Sequence, residues 1–136
     1  MQLDSTAFLA GADLIQALSS SATALDCTQE RQLFHQGDVA NGLYILHAGS
    51  ATVSMASEEG IQILCFQAGS GSLLGLPGLI GNHPYSLTVS ANAGSRVDFL
   101  SQEKFTALMV SDPQLSLKIL QVLAAEVRTA RMALTL

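Results

Sequence analysis

The chain has 136 residues, of which 49% are hydrophobic and 12% charged, with a net charge of −5; it holds one domain with a real core and is neither disordered nor heavily solvated. Its few lysines and arginines never cluster, which excludes a basic patch for nucleic-acid phosphates and attachment to an anionic membrane surface. The longest apolar stretch, residues 73–81, is cut by three glycines and a proline and falls short of the ~18 unbroken residues of a bilayer span.

From Ser5 to Leu18 the apolar residues Phe8, Leu9, Ala12, Ile15 and Leu18 recur at helical spacing, with Ser5 placed to cap the start. Residues 1–21 are therefore expected to form an N-terminal helical segment, ended by the run of serines at 19–21. Between 22 and 100 the pattern changes to short β-branched and apolar segments, at 42–49, 50–56, 61–69, 86–93 and 95–100. Turn residues separate them every ~8–12 positions, which predicts an antiparallel barrel or sandwich. Turns are expected at Gln36-Gly37-Asp38, Ala40-Asn41-Gly42 and Glu58-Glu59-Gly60. Residues 101–136 return to helical spacing. Ser101 can cap a short helix carrying Phe105, Leu108 and Met109, with Glu103 near its positive end. Asp112 and Pro113 then open a longer helix, Asp as cap and Pro in the first turn. On that helix Leu120, Leu123, Val127, Ala130 and Leu134 recur at spacings of three and four. Such a stripe either packs on the barrel or forms a seam with a second copy; a homodimer seam of Leu120, Leu123, Val127 and Leu134 is the expectation. Cys27 and Cys65 are too few for a structural zinc or a four-cysteine cluster and are expected as two core thiols in a reducing cytoplasm. The N-terminus carries no positively charged leader, so no secretory signal is expected.

Three blocks carry a resemblance. The first, LFHQGDVANGLYILHAGSATV at 33–53, reads as a strand, a Gly-Asp turn, a second strand ending at Gly49, and a third strand. The second, GSLLGLPGLIGNHPYSLTVSA at 71–91, has a Gly-rich turn before a Pro and another strand. The third, SQEKFTALMVSDPQLSLKIL at 101–120, opens the two closing helices. Together they resemble the cyclic-nucleotide-binding domain, and most closely the sensor half of Crp/Fnr regulators, over residues 14–134. The fold this implies is α+β but mainly β: an antiparallel double-stranded β-helix, a jelly-roll-like β-roll, with one helix before it and two after it. No helix-turn-helix segment follows within the 136 residues. Gly37, Gly42, Gly49 and Gly69 are read as turn or strand-junction glycines.

The resemblance also implies a site in the second block. In that family a Gly opens a short helix whose backbone N–H groups face the cyclic phosphate, as helix starts do for anions. A Glu after the Gly takes the ribose, an Arg after a Pro pairs with the phosphate, and a Ser or Thr adds a hydrogen bond. Here Gly75 and Pro84 match, Ser86 matches the hydroxyl residue, but Leu76 stands at the Glu position and Tyr85 at the Arg position. The candidate pocket is therefore Leu74, Gly75, Leu76, Pro77, Tyr85 and Ser86, with Arg128 and Arg131 of the long helix as candidate substitutes for the missing cation. Removing one member of a buried charge pair costs about 3–5 kcal/mol, about two to three and a half decades of affinity. A micromolar site would become a millimolar one, so cAMP and cGMP are disfavoured and no cofactor or metal is expected. His35, His47 and His83 are scattered, and no nucleophile–base, phosphate-loop or zinc spacing points to an enzyme.

The function expected is a cytoplasmic ligand-sensing or regulatory domain that signals through a C-terminal helix dimer, its small-molecule effector unidentified. A structural dimerisation module with a closed pocket, or the sensor half of a DNA-binding regulator, are the alternatives. What separates the first two is whether a cavity bounded by Leu74, Leu76, Tyr85 and Ser86 is open or filled.

Overall fold

The computed structural model describes residues 9–135, with side chains described as far as Glu126. A short helix α1 (Ala12–Ser19) leads into eight strands: β1 (Thr23–Leu25), β2 (Arg31–Phe34), β3 (Gly42–Ala48), β4 (Ala51–Ala56), β5 (Gln62–Ala68), β6 (Ser72–Leu74), β7 (Thr88–Ala91) and β8 (Arg96–Ser101). One helical excursion, α2 (Leu76–Gly81), separates β6 from β7, and α3 (Gln102–Ser111) and α4 (Pro113–Thr135) close the chain. The strands form two four-stranded sheets, in the orders β1-β8-β3-β6 and β2-β7-β4-β5, with every pairing antiparallel. This is the expected β-roll with flanking helices.

The pleat explains how one fold holds two cores. On β3 successive side chains point to opposite faces, and five consecutive residues from Gly42 to Leu46 are buried. Tyr44 and Leu46 point into the roll, beside Phe34, Val53, Leu74, Val89 and Val97. Leu43 and Ile45 point outward, where Leu14 and Leu18 of α1, Leu76 and Leu79 of α2, Phe105 of α3 and Leu115, Ile119 and Val122 of α4 cover them. The first core is the roll interior; the second glues the helices to one sheet. Burying one such Leu or Ile side chain contributes about 1.5–3 kcal/mol.

Caps fall where the sequence placed them at the C-terminal end. The Ser101 hydroxyl accepts the Lys104 N–H at 3.3 Å. One carboxylate oxygen of Asp112 accepts the N–H groups of Gln114 and Leu115, each at 3.2 Å. The N-terminal reading needs correction. α1 starts at Ala12 behind Gly11, and Leu9 pairs in extended conformation with Ser72, so no helix runs through Leu9. The buried face of α1 is Leu14 and Leu18 and leaves Ala12 exposed; Ser5 and Phe8 lie outside the described residues. Pairing of the 9–10 segment with the Gly71–Ser72 corner won over helical propensity. Ala40-Asn41-Gly42 is no separate turn, since Gly42 already opens β3 opposite Ser101. Cys65 is no core thiol either: it is exposed, because Leu64 is buried and alternation turns Cys65 outward on the edge strand β5. Cys27 is buried, and burial raises its thiol pKa.

His47 on β3 ties α1 to the roll. Its Nε2 lies 2.7 Å from Asp98 Oδ2 on β8 and 2.9 Å from the Ser19 hydroxyl at the end of α1. Both contacts use one ring nitrogen, so the trio is a tether and not a nucleophile–base–acid relay.

Gly49 supplies the β3–β4 corner with φ +91°, and a Cβ there would meet the Ser95 side chain and backbone. Gly49→Ala combines a left-handed L-residue with a clash and is expected to destabilise the fold by about 2 kcal/mol or more, read from urea unfolding. An unchanged midpoint would contradict this account of the corner.

Candidate functional site

The turn after β6 reverses the direction in which side chains point. Leu74 is buried inside the roll, Gly75 takes φ +103°, and Leu76 opens α2 on the outer side. Only a residue without a Cβ sits easily there. A Cβ on Gly75 would also stand 2.8 Å from the Tyr85 ring, so the glycine makes room for that ring. Pro77 lies in the first turn of α2, and Asn82 ends the helix in the left-handed conformation at φ 55°.

Tyr85 is held at every point of its length. Its N–H donates to Asp38 O at 2.9 Å, and its carbonyl accepts the Gly37 N–H at 2.8 Å, which pins residue 85 to the turn between β2 and β3. The ring stacks on Phe34, with centroids 4.0 Å apart and an interplanar angle of 22°. The phenol hydroxyl donates to Gly42 O at 2.5 Å, with Asn41 Oδ1 a second acceptor at 3.1 Å, and it accepts the Gly42 N–H at 3.2 Å. A buried Tyr needs such partners for its polar end, and here the side chain is 3% exposed. Phe34 continues into Tyr44 at 5.4 Å and Tyr44 into Phe99 at 5.0 Å, so four aromatic rings run through the roll interior. Burial raises the pKa of both phenols, that of Tyr44 to about 12. Neither ionises near neutrality.

Among the described residues, the void beside the turn is about 10 Å³, bordered by Phe34, Leu74, Gly75, Pro77, Tyr85 and Ser86 among others. That is room for about one water, against the ~300–1,000 Å³ of a small-molecule site. None of the side chains around it is charged. Leu74, Gly75, Pro77, Tyr85 and Ser86 thus converge on one spot. Leu76 does not: it is fully buried in the second core with Leu14, Leu18 and Phe105, on the far side of the turn. Its place among the pocket residues is corrected, because the left-handed Gly75 sends it outward. Arg128 and Arg131 lie outside the described side chains. His83 and Ser86 are exposed.

A family profile described as the cyclic nucleotide-binding domain matches residues 24–112, more than half of the chain and nearly all of the roll. The chain belongs to the cyclic nucleotide-binding domain family. No curated protein sequence matches it. Among solved structures, the catabolite activator protein of Thermus thermophilus superposes with a TM-score of 0.79 at 22% identity, over 92% of this chain and 59% of that one. The c-di-GMP-responsive regulator CLP of Xanthomonas campestris gives 0.69 at 21% identity, over 90% of this chain and 63% of that one. The sensor domain of the transcriptional regulator DNR of Pseudomonas aeruginosa gives 0.67 at 18% identity, over 90% and 82%. The chain therefore spans 59% of the length of the Thermus protein. These likenesses establish the fold of a cyclic nucleotide-binding domain. Among the described residues, no helix is long and apolar enough to cross a membrane, and no group of His, Cys, Asp and Glu side chains is placed to hold a metal ion.

Sequence reading missed Phe34, Asn41 and Gly42 as members of the site. The one available signal was an aromatic residue directly before His-Gln-Gly-Asp, and spacing alone cannot tell which ring it would meet. Asn41 has a further role, because its carbonyl accepts the Gln102 N–H at 2.9 Å where α3 begins. The Tyr85 hydroxyl and the start of α3 share one residue.

Tyr85→Phe keeps the stack and removes three hydrogen-bond contacts. It is expected to lower stability by about 1–2 kcal/mol in urea unfolding, with the fold retained. A variant as stable as the parent would show that the hydroxyl contributes nothing.

Proposed function

We propose that this domain is a regulatory module of the Crp/Fnr type whose nucleotide pocket is filled from within, and that it acts through contacts of α4 without binding cAMP or cGMP. One observation carries the reading: the Tyr85 ring, stacked on Phe34 and bonded to Gly42, leaves about 10 Å³ beside the turn where the family resemblance places the phosphate. A buried cyclic phosphate needs compensation for its lost hydration. A guanidinium supplies it with a charged, planar fork; Tyr85 offers a neutral donor already spent on Gly42. The filled void favours the closed-pocket module over a sensor for another small effector. The relatives named are regulators of larger size, so a cytoplasmic regulatory protein with a partner domain is the setting proposed for this one.

Calorimetry on the native chain tests the pocket. Dissociation constants for cAMP and cGMP are expected well above 10 micromolar; a value below about 10 micromolar, roughly −7 kcal/mol, would overturn the reading. Leu76 also matters for restoring a site. Leu76→Glu would bury a carboxylate in the second core and is expected to unfold the domain, whereas Tyr85→Arg alone places a cation at the turn.

α4 supplies the output surface in this proposal. Leu115, Ile119 and Val122 pack on the roll, whereas Leu117 and Leu120 are 57% and 52% exposed three residues apart. Leu123 is half-buried and packs toward the second core, so of the seam expected from sequence Leu120 faces outward most clearly; Val127 and Leu134 lie outside the described side chains. A dimer along this face would cover Leu117 and Leu120. Leu120→Glu or Val127→Glu is expected to convert the dimer mass in light scattering to that of a monomer. A parent chain already monomeric at high micromolar concentration would refute the dimer.

A further inference from the structure

The face of α4 turned to the roll runs Leu115, Ile119, Val122 and then Glu126, at spacings of four, three and four. The first three are packed apolar side chains. The fourth is a carboxyl group in the same row, 8% exposed, and its Oε1 has no hydrogen-bond partner among the described residues. A buried ionised carboxylate without a partner is among the most costly groups a fold can hold, so this face is compatible with Glu126 chiefly in its protonated form.

We propose that docking of the second half of α4 onto the roll is coupled to proton uptake by Glu126, so that the helix is held more tightly as the solution is acidified through the neutral range.

The charges on surrounding elements do not offset the burial. Asp13 on α1 and Lys118 on α4 border an open groove between the 9–14 segment and α4, Glu103 and Lys104 are exposed at the start of α3, and Asp98 is engaged by His47. Burial raises the pKa of the carboxyl from 4.5 to about 8, with no charged group among the described residues offsetting it; Arg128 and Arg131 follow on α4 outside the described side chains. The sign follows from linkage. Between 4.5 and about 8 the docked state holds a proton that the undocked state has lost, so docking weakens as pH rises through that window and levels off above it. The opening equilibrium of this helix half should rise about tenfold per pH unit. From pH 5.5 to 7.5 that is about a hundredfold.

The experiment is amide hydrogen exchange on the full chain at fixed concentration, comparing wild type with Glu126→Gln at each pH. Dividing the two protection factors removes the intrinsic pH dependence of exchange. For amides 122–130 the wild-type to variant ratio should fall about a hundredfold between pH 5.5 and 7.5 and stay flat above pH 8. Amides of the exposed 57–60 turn, which open without undocking α4, serve as the reference and should keep a constant ratio. A ratio for 122–130 that does not change with pH overturns the proposal. Should Glu126→Gln fail to fold, the carbon-13 shift of the wild-type Glu126 carboxyl decides instead. A midpoint well above the ordinary range supports the coupling, and one near 4.5 refutes it. The proposal does not depend on the closed pocket, and nucleotide binding would leave it standing.

Discussion

The bond from the Tyr85 hydroxyl to the Gly42 carbonyl fixes the interior of this domain. It anchors the outer end of a ring that would otherwise be free to leave the roll, and it does so at the first residue of β3. Once the ring is there, Phe34 has a stacking partner, Gly75 must lack a side chain, and the space beside the turn is gone. A cyclic nucleotide-binding fold and a closed pocket are therefore compatible without any rearrangement of the strands.

β3 makes that local event matter elsewhere. Its alternate residues serve two cores, Tyr44 and Leu46 inward and Leu43 and Ile45 toward the helices. Interiors packed at crystal-like density pass on displacement poorly absorbed by soft gaps. Asn41 adds a polar link, since it meets the Tyr85 hydroxyl through its side chain and the first amide of α3 through its carbonyl. The roll interior and the helices packed on it thus meet in residues 41–46.

Much of this was legible in the sequence, for reasons that differ by element. β4 alternates, and β3, β5 and β8 are short runs rich in apolar and β-branched residues bounded by Gly, Ser and Glu-Glu-Gly, so composition and turn chemistry agreed. Ser101 and the Asp112-Pro113 junction carry their caps in their own side chains. β1 and β6 have three residues each, too few for a period to show. α1 was placed too early because Leu9 fits a helical stripe, while its actual pairing with Ser72 lies 63 positions along the chain, where local pattern cannot reach. Within the site, the absence of the Arg and Glu ligands was visible residue by residue. What filled their place was not, because stacking of Tyr85 on Phe34 is a tertiary fact. Leu76 shows the same limit: its neighbours in sequence face the void, and only the left-handed turn at Gly75 reveals that it looks the other way.

The way Tyr85 is bonded has an evolutionary consequence. Its hydroxyl engages both the amide and the carbonyl of Gly42, so any single substitution that empties the roll removes a stacked ring and those backbone bonds together. Large-to-small changes of this kind cost about 3–5 kcal/mol, a sizeable share of the ~5–15 kcal/mol that keeps a domain folded. Regaining a charged ligand set at 76 and 85 would require passing through that less stable intermediate, and Leu76 would first have to be freed from the helix core. A charged ligand set in this chain would thus have to be installed at two separate places, the roll interior at Tyr85 and the helix core at Leu76.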